Sequence, residues 1–253
     1  MNNDSIRKDN KKALPKYLLI ILLSAIFGGV IGLGAGIYGD SGQSAHLADV
    51  LVRCLIFIGP WGIPAGILVF LLPASMLYRK AKKQLALWDG EDEETANQID
   101  RMEEKAIFLT SLMLLLSLLF FSIQIVYLPD RWLILFGVIL FIVSMIWSTL
   151  LQQKLVDLIR KMNPEKKGSI YDVNFQKTWL NSCDEAERKL IGEGAYFAMQ
   201  VTTMVSMLLW VLLIFAEIWF HTGLLPIMTV LFLTGVLQVS YYLKIVRLNK
   251  KEA

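Results

Sequence analysis

At 253 residues the chain has length for one or two domains, but 55% apolar content and a mean hydropathy of +0.53 exceed what a soluble core needs to fill. A net charge of +3 says little about nucleic acid, because the basic residues are distributed as topology signals, and no direct nucleic-acid binding is expected. Two cysteines and two histidines exclude a disulfide scaffold and a paired-histidine metal site.

The apolar residues bunch into six runs, at about 17–39, 50–78, 106–127, 132–151, 196–220 and 224–243. A bilayer span takes about 20 apolar residues, and hydrocarbon offers the backbone no hydrogen-bond partners. Such runs must therefore be helices. The sequence predicts an all-α polytopic membrane protein: one membrane domain over 1–253, with six transmembrane helices in three hairpins. Charge sets the orientation. Five, six, eight and four of the 25 Lys and Arg residues fall in segments 1–16, 79–105, 152–195 and 244–253, leaving only Arg53 and Arg131 elsewhere. Basic residues favour the cytoplasmic side, so both termini are expected in the cytoplasm of a multi-pass cell-membrane protein whose first partner is the lipid bilayer.

The first run follows a basic leader, Arg7 to Lys16, and is too long for a signal-peptide core, so an uncleaved helix is expected. Its Gly34-Ala35-Gly36-Ile37-Tyr38-Gly39 spells G-x-G-x-x-G, the fingerprint of a dinucleotide loop. That loop needs a preceding strand and an exposed helix start, and an apolar membrane run supplies neither. At about 100° per residue, Gly28, Gly32, Gly36 and Gly39 share a narrow stripe that suits close helix packing, with Gly34 facing away.

The second run carries Pro60, Pro64 and Pro73 among glycines, which predicts a bent helix. Asp49 and Arg53, one turn apart, could join Glu217 of the fifth run in a polar cluster near the outer boundary. It would serve as a helix-pinning ion pair or as an outer ligand site. Gln124, Gln200 and Gln238 are mid-span polar residues suited to interhelical hydrogen bonds.

The first inner loop reads as a helical hairpin: the second helix continues through Arg79–Trp88, Asp89-Gly90 turns, and an acidic run at Glu91–Glu94 opens the next helix. In the second inner loop the fourth helix continues to Asn163-Pro164. An irregular, aromatic-rich stretch through Leu180 follows, and then Ser182-x-x-Glu185, which matches a capping box. The aromatics either fold back on the inner helix ends or dock a partner, with Tyr171, Asn174, Trp179, Asp184 and Glu185 as the candidate docking residues. There is no phosphate loop, nucleophile elbow or intramembrane acid cluster, so no catalytic residue, metal or cofactor is expected.

The string Tyr171-x-x-Asn174-x-x-Lys177-x-Trp179-Leu180-x-Ser182-Cys183-Asp184-Glu185-Ala186-Glu187, running on to Tyr196, resembles the most characteristic segment of a family of Gram-positive bacterial membrane proteins. That family is a six-span domain of unknown function covering the whole chain. The resemblance implies location and architecture but no reaction. Genes of such proteins often lie beside small helix-turn-helix regulators, which implies a membrane partner for a cytoplasmic regulatory protein. The other class of function open to this sequence is the permease subunit of an ATPase-driven exporter of lipid or peptide.

Overall fold

A computed structural model describes residues 43–252, preceded by Leu19, Leu22 and Ile26 as isolated helical positions. The stripe of Gly28, Gly32, Gly36 and Gly39 lies outside the described residues. Among the described residues every regular element is helical: α1 (Gln43–Gly66), a π-helical turn (Ile67–Leu71), α2 (Leu72–Leu87), α3 (Glu93–Tyr127), α4 (Arg131–Met162), α5 (Phe175–Ser182), α6 (Glu185–Phe220) and α7 (Leu225–Glu252). Five stretches are long and apolar enough to cross a membrane: Asp49–Leu87, Glu93–Tyr127, Arg131–Met162, Glu185–Phe220 and Leu225–Arg247. That is the mark of a membrane protein. The chain divides into two compact units, residues 50–193 and residues 194–253 together with the segment up to Asp49.

In the first unit the second run carries two features that interrupt regular α-helical bonding. Pro60 and Pro64 lie inside α1, and Pro73 sits in the first turn of α2. Between them the helix widens, with Leu72 N–H donating to Ile67 O in the i→i−5 spacing of a π turn. The glycines on this helix have a packing role. Gly59, Gly62 and Gly66 form a stripe against α3: a Cβ on Gly62 would overlap the Phe120 ring, and one on Gly66 would lie 2.9 Å from Met113 Sδ. The small-residue contact face that the sequence suggests for the first span is thus seen here, on the second.

Helix α3 buries Ile99, Glu103, Ala106, Thr110, Met113, Ser117 and Gln124. Steps of three, four and seven residues place them on one seam, as in a coiled coil. Helix α4 answers with Gly137, Ser144, Ser148, Leu151, Leu155 and Leu158. Hydroxyls tie the seam together: Ser117 Oγ lies 3.0 Å from Ser144 Oγ, and Gln152 Nε2 donates to Thr110 Oγ1 at 3.2 Å. Gln124 crosses at the far end, where Nε2 donates to Gly59 O at 2.8 Å and its amide lies over Gly137, whose missing side chain leaves the room. The sequence reading of Gln124 as an interhelical bonder is realised. Lipid tails give no hydrophobic drive for helices to associate, so small residues and polar cross-links carry the packing.

The loop between α2 and α3 follows its sequence closely. Gly90 has φ 92°, Asp89 Oδ1 accepts from Glu91 N–H at 3.0 Å, and Asp92 Oδ1 accepts from Glu94 N–H at 3.0 Å as the N-cap of α3. In the second unit the descending part of α6 reaches a turn where Gly223 has φ 80°. Gly223 N–H and Thr222 Oγ1 both donate to Glu217 Oε2. Well away from that turn, Gln200 of α6 and Gln238 of α7 line a groove with Met204, Met207 and Tyr241.

Candidate functional site

The most chemically loaded place lies at the charged end of the 50–193 unit, where α3 and α4 extend beyond their apolar runs. Three structural decisions build it. The first is the end of α4 at Met162, where Asn163 N–H still donates to Ile159 O before Pro164 breaks the helix. The second is the loop that follows, held by Gln153: its Oε1 accepts from Ile170 N–H at 2.7 Å and from Ser169 Oγ at 2.9 Å, while its Nε2 donates to Asp157 Oδ1 at 2.9 Å. One amide side chain, 8% exposed, therefore anchors the loop to α4.

The third is α5, an eight-residue helix that the sequence reading leaves as irregular chain. It begins where Asp172 caps a turn by accepting from Asn174 N–H at 2.9 Å. At its other end Arg188 donates to Leu180 O at 3.1 Å and Asn181 O at 2.8 Å, satisfying carbonyls that a helix terminus leaves open. Ser182 is not the cap of α6, contrary to the sequence reading. Its hydroxyl donates to Trp179 O at 2.7 Å and accepts from Lys167 N–H at 3.0 Å. The capping box is Asp184 and Glu187, two residues later: Asp184 Oδ1 accepts from Glu187 N–H at 2.7 Å, and Glu187 Oε2 accepts from Asp184 N–H at 3.0 Å. The extra helix uses up Ser182, and an aspartate caps as well as a serine.

These elements enclose a recess of about 270 Å³ beside the start of the apolar run at Ala106. Its acidic wall is Asp100, Glu103 and Glu104 of α3; Lys166 and Glu187 face it, and Ile107, Ile159 and Leu190 supply apolar surface. Lys166, 5% exposed, is ion-paired with Glu187, and its Nζ lies 5.9 Å from the Trp179 ring centroid. Burial opposes the Lys166 charge, but the hydrogen bond to Glu187 and the neighbouring Cys183 hold the ammonium above its ordinary value. The same bond lowers Glu187. Glu103 differs. It is 2% exposed, its Oε1 has no hydrogen-bond partner, and burial, then the nearby Asp100 charge, raise its carboxyl from 4.5 to about 8. Asp100, exposed along the helix, is also raised, by partial desolvation on its recess side and then by Glu104.

The candidate docking residues divide. Tyr171 is 62% exposed, and Asn174, Asp184 and Glu185 are exposed too. Trp179 is half-buried against Phe175, ring centroids 5.6 Å apart, and lines both this recess and a second one of about 340 Å³ formed with Gln152 and Ile170. Of the two readings, folding back holds for Phe175 and Trp179, while Tyr171 is exposed. Asp49 and Arg53 lie one turn apart on α1, each already engaged. Glu217 is used locally to close the turn before α7.

Sequence reasoning passed over Glu103, Lys166 and Gln153. A signal for Glu103 was present: counting 99, 103, 106, 110, 113 places a carboxylate on the buried seam, where charge is costly. For Lys166 and Gln153, separated in the chain from what they hold, no local pattern exists.

A family model described as Protein of unknown function (DUF3169) matches residues 11–246, so the chain belongs to that family. No curated protein and no solved structure matches it.

Proposed function

We propose that this DUF3169 member is a six-span bacterial cell-membrane protein with both termini in the cytoplasm, and that its role is non-catalytic. The loop between α4 and α6 would dock a cytoplasmic protein, such as a transcriptional regulator. The observation that carries this reading is the pairing of exposure with order at one edge of the loop. Tyr171 is 62% and Val173 100% exposed, yet the backbone around them is fixed by the Gln153 bonds, by Asp172 N–H to Ser169 O at 2.9 Å, and by Phe175 N–H to Asp172 O at 3.0 Å. Apolar groups on a pre-ordered turn bind with little further loss of chain entropy. The distribution of Lys and Arg supports the cytoplasmic placement of this loop.

The test is affinity capture of the intact protein from membranes beside a Tyr171→Ala/Val173→Asp variant. A protein that leaves with the double substitution, while membrane abundance stays constant, supports docking at this edge. An identical set of captured proteins would remove the edge from the reading, and capture of an ATPase subunit by both forms would point to the exporter class instead.

A further inference from the structure

We propose that the recess at Asp100, Glu103 and Glu104 is a binding site for a small organic cation, an aliphatic diamine in chemical class. The site holds more acid than its surroundings neutralise. Lys166 is committed to Glu187, and among the described residues the remaining ion pair at this end joins Arg160 to Asp157, at 3.9 Å. Among the described residues, Asp100, Glu103 and Glu104 have no ion-pair partner. Glu103 adds the independent observation. A carboxyl 2% exposed, lining a recess with Oε1 unpartnered, is a costly arrangement that an incoming donor would relieve.

The walls choose the kind of cation. Among the described residues no three His, Cys, Asp or Glu side chains are arranged to hold a metal ion, which would need several oxygen ligands converging on a point. Carboxylates spread along one helix face suit two charges a few bonds apart. Ile107, Ile159 and Leu190 offer the apolar contact that a methylene chain uses and a hydrated metal does not. One ammonium would bond Glu103 and the other would sit between Asp100 and Glu104. At about 270 Å³ the recess has room for a short diamine and is small for a peptide.

A proton consequence follows. The titratable groups lining the recess with Glu103 are Asp100 and Glu104 from α3, Lys166 and Cys183 from the loop and turn, and Glu187 from α6; α4 and its C-cap contribute the uncharged Ile159 and Asn163. With its carboxyl raised to about 8, Glu103 carries a proton at neutral pH and gives it up when an ammonium arrives. Alkyl ammonium groups stay charged to about pH 10. Diamine binding should therefore strengthen as pH rises toward 8, and at pH 7 it should release about one proton.

The experiment is titration calorimetry of 1,4-diaminobutane into the full-length protein in detergent, at pH 7, in two buffers of different ionisation enthalpy. The expected result is saturable binding whose heat depends on the buffer, with Glu103→Gln weakening affinity roughly tenfold or more and abolishing the buffer dependence. Asp100→Asn, at an exposed position, should weaken binding without changing the melting temperature, and it carries the test should Glu103→Gln fail to fold. Absence of saturable heat with wild-type protein would overturn the proposal, as would affinity unchanged in both variants. 1,4-Butanediol is the uncharged control, and its equal binding would also sink the cation reading.

Discussion

Gln124 and Glu103 stand on the same buried seam of α3, three heptads apart, each with an unpartnered Oε1. Their surroundings treat that defect in opposite ways. Gln124 is neutral, its amide nitrogen is spent on Gly59 O, and Gly137 makes room for its body. It works as a cross-link within an apolar stretch, where a polar group survives only when it bonds across helices. Glu103 is ionisable, has like charges for neighbours and opens on a recess. Position on the seam thus fixes burial alone. What a buried polar group does depends on whether the facing helix brings a partner, as Gly59 does, or leaves space.

The comparison breaks most readily at the glycines. Gly137→Leu drives a side chain into the Gln124 amide and Gly62→Leu drives one into the Phe120 ring, so each should cost about 3 kcal/mol, read as a lowered unfolding midpoint in detergent. A tolerated Leu at either position would mean that the helices do not approach as described. A smaller effect belongs to Gln124→Leu, which removes the bond to Gly59 but also the unpartnered oxygen, for a net loss of about 1 kcal/mol. If Gln124→Leu proved as damaging as Gly137→Leu, the amide would be holding more than one bond. Gly59→Ala keeps the main-chain carbonyl that accepts from Gln124, so any loss it causes should come from its Cβ crowding Leu128 Cδ1 at 3.1 Å and Ile123 Cγ2 at 3.3 Å, and should add to that of Gln124→Leu.

Much of this architecture is legible in the sequence because hydrocarbon leaves the chain few choices. The five described spans, the Asp89-Gly90 turn, the interruption of regular α-helix between Pro64 and Pro73, and the interhelical role of Gln124 follow from length, turn chemistry and missing N–H donors. The loop before α6 was harder to read for a local reason. Ser182-x-x-Glu185 and Asp184-x-x-Glu187 are overlapping capping boxes, and only the tertiary demand on the Ser182 hydroxyl, taken by Lys167 and Trp179, selects the second. The candidate site depends on pairs such as Gln153 with Ile170 and Lys166 with Glu187, whose partners are 17 and 21 residues apart and share no periodicity. Glu103 was readable in principle. Its seam position could be counted, but a carboxylate just ahead of an apolar run looks like one more solvated charge until the recess around it is seen.

The contrast between the two seam positions is tested most directly by the pH dependence of unfolding for wild type and Glu103→Gln. In the folded chain Glu103 holds its proton up to about pH 8, whereas unfolded it releases the proton near its ordinary value of 4.5. Its contribution to stability is therefore full below pH 4.5, declines as pH rises through that window, and is lost above about 8. Wild-type stability should therefore fall relative to Glu103→Gln from pH 4.5 to about 8 and run parallel to it beyond, while Gln124→Leu should shift the curve by the same amount at every pH. Parallel profiles for wild type and Glu103→Gln across the whole range would contradict this, because Glu103 would then titrate as an ordinary solvated carboxylate.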